Sequence, residues 1–119
     1  MSLQIWEGFL TYNLARALAE AGKALESEKY YLKAISVRNR WLKTSNYNST
    51  VRNALSYEYF IARISYLDMS KKFNLMTAEE LQIEYDTLEA ELNAYSNDDE
   101  QLNQLIYIRD LIENRRKQH

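Results

Sequence analysis

Apolar side chains recur along this chain at three- and four-residue intervals, the period of α-helices that each turn one face inward. The first run carries Trp6, Phe9, Leu10, Asn13 or Leu14, Ala17, Leu18 and Ala21. It predicts a helix over Leu3–Ala21 with those residues as the buried stripe. The second carries Ala24, Leu25, Tyr31, Ala34, Ile35 and Leu42 and predicts a helix over Lys23–Lys43. Gly22 stands between them. Only glycine takes the left-handed conformation after a helix end without a Cβ penalty, so one helix stopping there and another starting at once predicts a tight antiparallel hairpin. The small residues Ala15, Ala17 and Ser27 are expected to let its two arms approach closely.

The polar cluster Thr44–Ser49 then reads as a connection. Asn48-Ser49-Thr50 matches a glycosylation acceptor, but Ser49 or Thr50 as the cap of the next helix explains it more simply. A third helix, over Thr50–Lys72, is the most aromatic, with Tyr57, Tyr59, Phe60 and Tyr66 among Leu55, Ile61, Ile64 and Leu67. Its apolar residues cover more than half the circumference, the mark of a helix sandwiched between neighbours. After the short turn Phe73–Met76, Thr77-Ala78-Glu79-Glu80 reads as a capping box. The fourth helix follows with Leu81, Tyr85, Leu88, Leu92 and Tyr95 as a narrow seam of coiled-coil type. Asn97-Asp98-Asp99-Glu100 repeats the capping logic before a fifth helix bearing Leu102, Leu105, Ile106, Ile108, Leu111 and Ile112. Its basic end, Arg115-Arg116-Lys117, suits a helix dipole and needs no other explanation at this level.

The hairpin around Gly22 resembles a tetratricopeptide repeat. Leu14-Ala15 stands for that repeat's Leu-Gly, followed by Ala17, Gly22, Ser27 as the small residue early in the second helix, and Ala34-Ile35 near the end. Ala15 where glycine is usual and Ala24 where an aromatic is usual make it a divergent member. The resemblance is clearest over residues 9–42. A weaker second copy spans 52–95, because Tyr12-Asn13-Leu14-Ala15-Arg16-Ala17 recurs as Tyr59-Phe60-Ile61-Ala62-Arg63-Ile64 at an offset of 47 residues. That exceeds the 34 of the family, an excess assigned to the longer second helix and its polar loop. The implied fold is all-α, with five antiparallel helices forming two tetratricopeptide-like hairpins and a C-terminal capping helix in one domain over 1–119. A chain that begins inside a helix pattern is also compatible with a piece of a longer repeat protein.

Composition narrows the class. With no proline and two glycines in 119 residues, the chain lacks the breakers that sheets and long loops need. There is no cysteine, and the one histidine is the last residue, so thiolate chemistry and the common nucleophile–base pairs are absent, as is any glycine-rich phosphate loop. A non-catalytic protein without cofactor or metal is expected. No apolar run reaches the roughly 18–20 residues that span a bilayer, and no basic-then-apolar leader opens the chain. A soluble protein in a cytoplasmic setting is the corresponding expectation.

Charge is uneven. Residues 23–72 hold ten Lys or Arg against four acids, whereas residues 77–100 hold nine acids and no base. Three readings compete: solvated faces, attraction between the middle of the chain and the fourth helix, or a bipolar surface that steers a partner. An overall charge of −2 makes nucleic acid a poor partner. In tetratricopeptide arrays the first helix of each hairpin lines a groove. The resemblance therefore implies ligand-facing positions at Phe9, Tyr12, Asn13, Arg16 and Glu20, and at Ser56, Tyr59, Phe60 and Arg63. Two tyrosines and two arginines there suit an extended acidic peptide or a terminal carboxylate. The alternatives for the same residues are an Arg16–Glu20 pair, a solvated Arg63 and tyrosines in the core. The competing function is a homodimer formed through the seam of the fourth helix, or through the fifth.

Overall fold

The computed structural model describes residues 3–44, 49–95 and 102–117, and within them every regular element is helical. The helices are α1 (Leu3–Glu20), α2 (Ala24–Thr44), α3 (Ser49–Lys72), α4 (Ala78–Tyr95) and α5 (Leu102–Lys117). The fold is all-α. The connection at 45–48 and the Asn97–Glu100 capping sequence lie outside the described residues.

Local chemistry sets the boundaries. Gly22 has φ of 79°. Its N–H donates to the Ala19 carbonyl at 3.0 Å and the Lys23 N–H to the Leu18 carbonyl at 2.9 Å, the paired bonds of a Schellman motif. Asn74, with φ of 56°, ends α3 by the same device: Leu75 N–H donates to Ser70 O at 2.8 Å and Asn74 N–H to Lys71 O at 3.3 Å. The capping box before α4 is formed, with Thr77 N–H on Glu80 Oε1 at 3.0 Å and Glu80 N–H on Thr77 Oγ1 at 3.1 Å. A Cβ added at Gly22 would meet nothing within 4 Å, so its cost is conformational alone. Gly22→Val should therefore lower stability by about 1 kcal/mol or more through the left-handed backbone. A melting temperature equal to that of the parent chain would contradict this.

Contacts run in opposite order along successive helices. Ala15 meets Ser27, Tyr12 meets Tyr31 and Gly8 meets Val37 and Arg38, so α1 and α2 are antiparallel. Tyr31 with Ser65 and Arg38 with Glu58 do the same for α2 and α3, and Asn93 with Arg109 and Asp86 with Arg116 for α4 and α5. Tyr57 with Tyr107 and Asp68 with Arg115 show α5 lying along α3 in the same direction. The main core joins α2 to α5 through Trp41, Phe60, Leu67, Tyr85, Leu88, Leu92, Ile108 and Ile112. A smaller cluster of Ala15, Tyr31 and Met69 holds α1 at the edge.

The inward face of α1 corrects the expected stripe. Phe9, Leu10, Leu14, Ala17 and Ala21 are exposed and Leu18 is half-buried, while Gly8, Thr11 and Ala15 are buried. Close approach explains the choice. The Ser27 hydroxyl donates to the Ala15 carbonyl at 2.7 Å, and Thr11 satisfies its hydroxyl on its own helix at the Glu7 carbonyl, 2.6 Å away. Small side chains permit that spacing; leucines in the seam would hold the helices apart. On α2, Tyr31, Ala34 and Leu42 are buried as expected, joined by Val37 and Trp41, but Leu25 is 74% exposed.

Candidate functional site

The candidate ligand residues divide by helix. On α1, Asn13, Arg16 and Glu20 are exposed, Phe9 is half-exposed, and Tyr12 is half-buried with its ring edge-on to Tyr31 at 6.1 Å. On α3, Ser56, Tyr59 and Phe60 are buried at 1%, 6% and 0% exposure. The sandwich expected of α3 accounts for this: α2 lies on one side, α4 and α5 on the other, and Tyr59 borders a surface pocket only beside Asn39, Lys43, Glu91 and Ala94, away from α1. Ser56 turns its hydroxyl to the Arg52 carbonyl at 2.8 Å. The four α3 positions and the five on α1 therefore do not share an open surface.

Arg63 is neither solvated nor available. Its guanidinium contacts Glu91, reaches Glu84 at 3.5 Å and donates to the Tyr59 hydroxyl at 2.9 Å. Burial foremost pushes the Tyr59 phenol above its ordinary value, with the Glu91 carboxylate adding to the shift. Of the charge readings, attraction between the middle of the chain and α4 is the one realised here. The basic end of α5 joins it and does more than answer a helix dipole. Arg115 grips Asp68 with two bonds of 2.7 and 2.9 Å, and Arg116 pairs with Asp86 at 2.7 Å and with Glu89. The α4 seam is likewise occupied inside the molecule, since Leu81, Tyr85, Leu88 and Leu92 are all buried. It is therefore not the exposed surface that the competing homodimer through the fourth helix would use.

The repeated Tyr-x-x-x-Arg does recur as local geometry. Arg16 lies over the Tyr12 ring at 5.8 Å and Arg63 over the Tyr59 ring at 5.5 Å, and Ala15 and Ala62 are both fully buried. Only the surroundings differ. One residue that the sequence reading passed over is Arg38, 3% exposed at the junction of three helices. Its guanidinium sits 4.8 Å from the centre of the Tyr12 ring and donates to the Glu58 carbonyl at 2.9 Å. Burial lowers its pKa, yet an arginine stays charged. The signal was in the sequence: Tyr31, Ala34, Arg38 and Trp41 place a cation inside an apolar stripe.

Between the C-terminal halves of α1 and α3 lies an open cleft of about 190 Å³. Arg16, Ala19 and Glu20 form one wall, with Tyr31, Ser65, Asp68, Met69, Lys72 and Phe73 opposite and below. Tyr31 and Ser65 bond to each other at 2.6 Å, and Asp68 is neutralised by Arg115. Arg16 and Lys72 make no ion pair among the described residues; each rests on an aromatic ring instead, Lys72 over Phe73 at 5.4 Å. The anticipated Arg16–Glu20 pair is not formed. Of the expected groove residues, then, Arg16 and Glu20 line this cleft, and its α3 side comes from residues beyond Arg63: Ser65, Asp68, Met69 and Lys72.

Four tyrosines carry a pH dependence. The Tyr66 phenol is pushed up to about 12 by burial and by its 3.0 Å bond to Glu28, and the Tyr85 phenol to about 12 by burial with Asp68 nearby. Tyr31 and Tyr59 are raised as well, chiefly by burial. A raised folded-state pKa favours the neutral phenol, so this stability is complete below pH 10 and is lost between pH 10 and about 12. Phenolate absorbance should rise in two phases, the second coinciding with loss of the helical circular-dichroism signal. One smooth phase with the helices intact would contradict it.

Comparison with protein-family models, with curated proteins and with solved structures gives no match.

Proposed function

We propose that this chain is a non-catalytic protein-interaction module, a tetratricopeptide-like scaffold in a cytoplasmic setting, that takes an extended acidic peptide in the groove between α1 and α3. The observation that carries this reading is the pair Arg16 and Lys72. Among the described residues neither forms an ion pair, and both stand beside an apolar floor, whereas Arg63, Arg115 and Arg116 are each tied to an acid. A peptide carboxylate lies against the Arg16 fork and the Lys72 ammonium, and a neighbouring apolar side chain lies on Met69 and Phe73. Tyr12, Asn13 and Phe9 continue the Arg16 side of α1 toward its start, giving an extended ligand a track. Glu20 disfavours a second carboxylate at the far end, which gives the bound peptide a direction. No described helix is long and apolar enough to cross a membrane.

The test is selection of peptides from a displayed random library against the whole chain. Bound sequences should be enriched in Asp and Glu or end in a free carboxylate. Exchanging Arg16 and Lys72 for Glu should lower the affinity of a selected peptide at least tenfold, in line with the roughly 1.5–3 kcal/mol of a charge-assisted hydrogen bond, while melting is unchanged. Lysine at position 16 should recover part of the loss. A selection without acidic preference, or a double-Glu chain that binds as before, would sink the reading.

A further inference from the structure

We infer that α1 carries a second surface, distinct from the peptide cleft: two copies of this chain pair through the apolar stripe Trp6–Leu10–Leu14, with the two α1 helices antiparallel about a two-fold axis. Trp6, Leu10 and Leu14 are 49%, 59% and 42% exposed and recur at four-residue spacing, so they form one straight line of about two turns. Ala17 extends it, also exposed. This line lies opposite the Gly8, Thr11 and Ala15 face with which α1 packs on α2. Phe9, half-exposed, meets Trp6 edge-on at 6.2 Å and supports it from one flank.

Area argues that the surface is a contact. With an aromatic side chain at roughly 150–250 Å², half-exposed Trp6 and Phe9 together with the two leucines present on the order of 400 Å² of apolar surface on one helix face. Two such faces brought together cover about 800 Å², and the polar rim of two three-turn helices takes the total to about 1,200 Å², where specific interfaces begin. The shape of the stripe argues for a second copy as the occupant. Its N-terminal half is bulky, with Trp6 and Leu10, and its C-terminal half small, with Ala17 and Ala21. An antiparallel copy therefore sets large against small at both ends, and such an isologous contact closes on itself. Among the described residues, the other exposed large apolar side chains, Leu25, Leu32, Ile83, Ile106 and Tyr107, are spread over three other helices and offer no comparable stripe for a head-to-tail contact.

Sedimentation equilibrium of the whole chain over roughly 1–500 μM tests this. The parent should pass from monomer to dimer within that range, and the emission of half-exposed Trp6 should shift with it, Trp41 being buried in both states. Leu10→Glu should raise the dimer dissociation constant at least a hundredfold while keeping the melting temperature of the dilute parent. Ile83→Glu, the same exchange at an exposed site on α4, should leave the dimer intact. Leu14→Lys should repeat the Leu10→Glu result. A parent of monomer mass throughout, or a dimer that survives both α1 substitutions, overturns the inference and leaves the stripe to another partner. A Leu10→Glu chain that fails to fold overturns it too, because the inference requires Leu10 to be free of the core. Arg16 and Glu20 lie on the Phe9 side of the stripe and Lys72 on α3, none of them in the Trp6–Leu10–Leu14 line, so substitutions at Leu10 or Leu14 and at Arg16 or Lys72 keep loss of dimer and loss of peptide binding separately readable.

Discussion

Phe60→Ala should cost the fold about 3–5 kcal/mol, the usual toll of emptying a fully buried aromatic site. Phe60 is 0% exposed, and its ring meets Tyr59 edge-on at 5.3 Å in the cluster that joins α2, α3, α4 and α5. Helices on both sides of α3 limit how far the site can collapse, which keeps the expected loss at the upper part of that range. Against a net stability of about 5–15 kcal/mol for a domain of this kind, a loss of about 5 kcal/mol is roughly a third or more of the total. Urea unfolding followed by circular dichroism measures it: the midpoint should fall sharply with the slope unchanged. Phe9→Ala, at a half-exposed site on α1, should barely move the midpoint. Were Phe60 a ligand anchor in an open groove, the ranking would be different, with binding lost and melting preserved. A midpoint close to that of the parent would therefore undo the sandwiched placement of α3.

The elements were legible in the sequence wherever a local device decides them. Gly22 and the Thr77–Glu80 box act within a few residues of chain, so their consequences follow without knowledge of the rest. Asn74 uses the same left-handed turn as Gly22 but lacks the glycine that announces it. Which way α1 faces was not legible by counting apolar residues. Periodicity weighs bulk, whereas the α1–α2 seam is decided by small side chains, Gly8, Thr11 and Ala15, that permit close approach. The same stripe of large residues was read correctly as a line along the helix and wrongly as its inward side. Charge followed a similar course. The excess of base over residues 23–72 and of acid over residues 77–100 was visible as a sum, but Asp68 with Arg115 joins residues 47 apart and depends on α5 returning along α3. At the candidate site the resemblance put Ser56, Tyr59, Phe60 and Arg63 in a groove, while the hydrophobic pattern of α3 put it between neighbours. The pattern prevailed because burying aromatic surface is worth more than leaving it open to solvent.

Arg63→Glu should destabilise the chain by about 2–3 kcal/mol, where Arg16→Glu leaves melting within the range of ordinary surface exchanges. From the sequence both arginines are expected to be exposed and equally replaceable. In the structure the Arg63 side chain is 12% exposed and contacts Glu84 and Glu91, themselves 41% and 38% exposed. Glutamate in its place removes the cation that contacts both glutamates and adds a third negative charge between α3 and α4, and it strips the Tyr59 hydroxyl of its donor. A fully buried pair broken in this way costs about 3–5 kcal/mol; solvent access to both glutamates lowers the expectation toward the smaller figure. Screening gives the prediction its signature. Because part of the loss is repulsion between partly exposed carboxylates, raising the salt from about 0.05 to 0.5 M should recover some of the melting temperature for Arg63→Glu and leave Arg63→Gln nearly unmoved. A loss of equal size in both variants that ignores salt would make Arg63 a packing residue whose charge is incidental. A variant that melts like its parent would return Arg63 to the solvent, and with it the wider groove over the first half of α3.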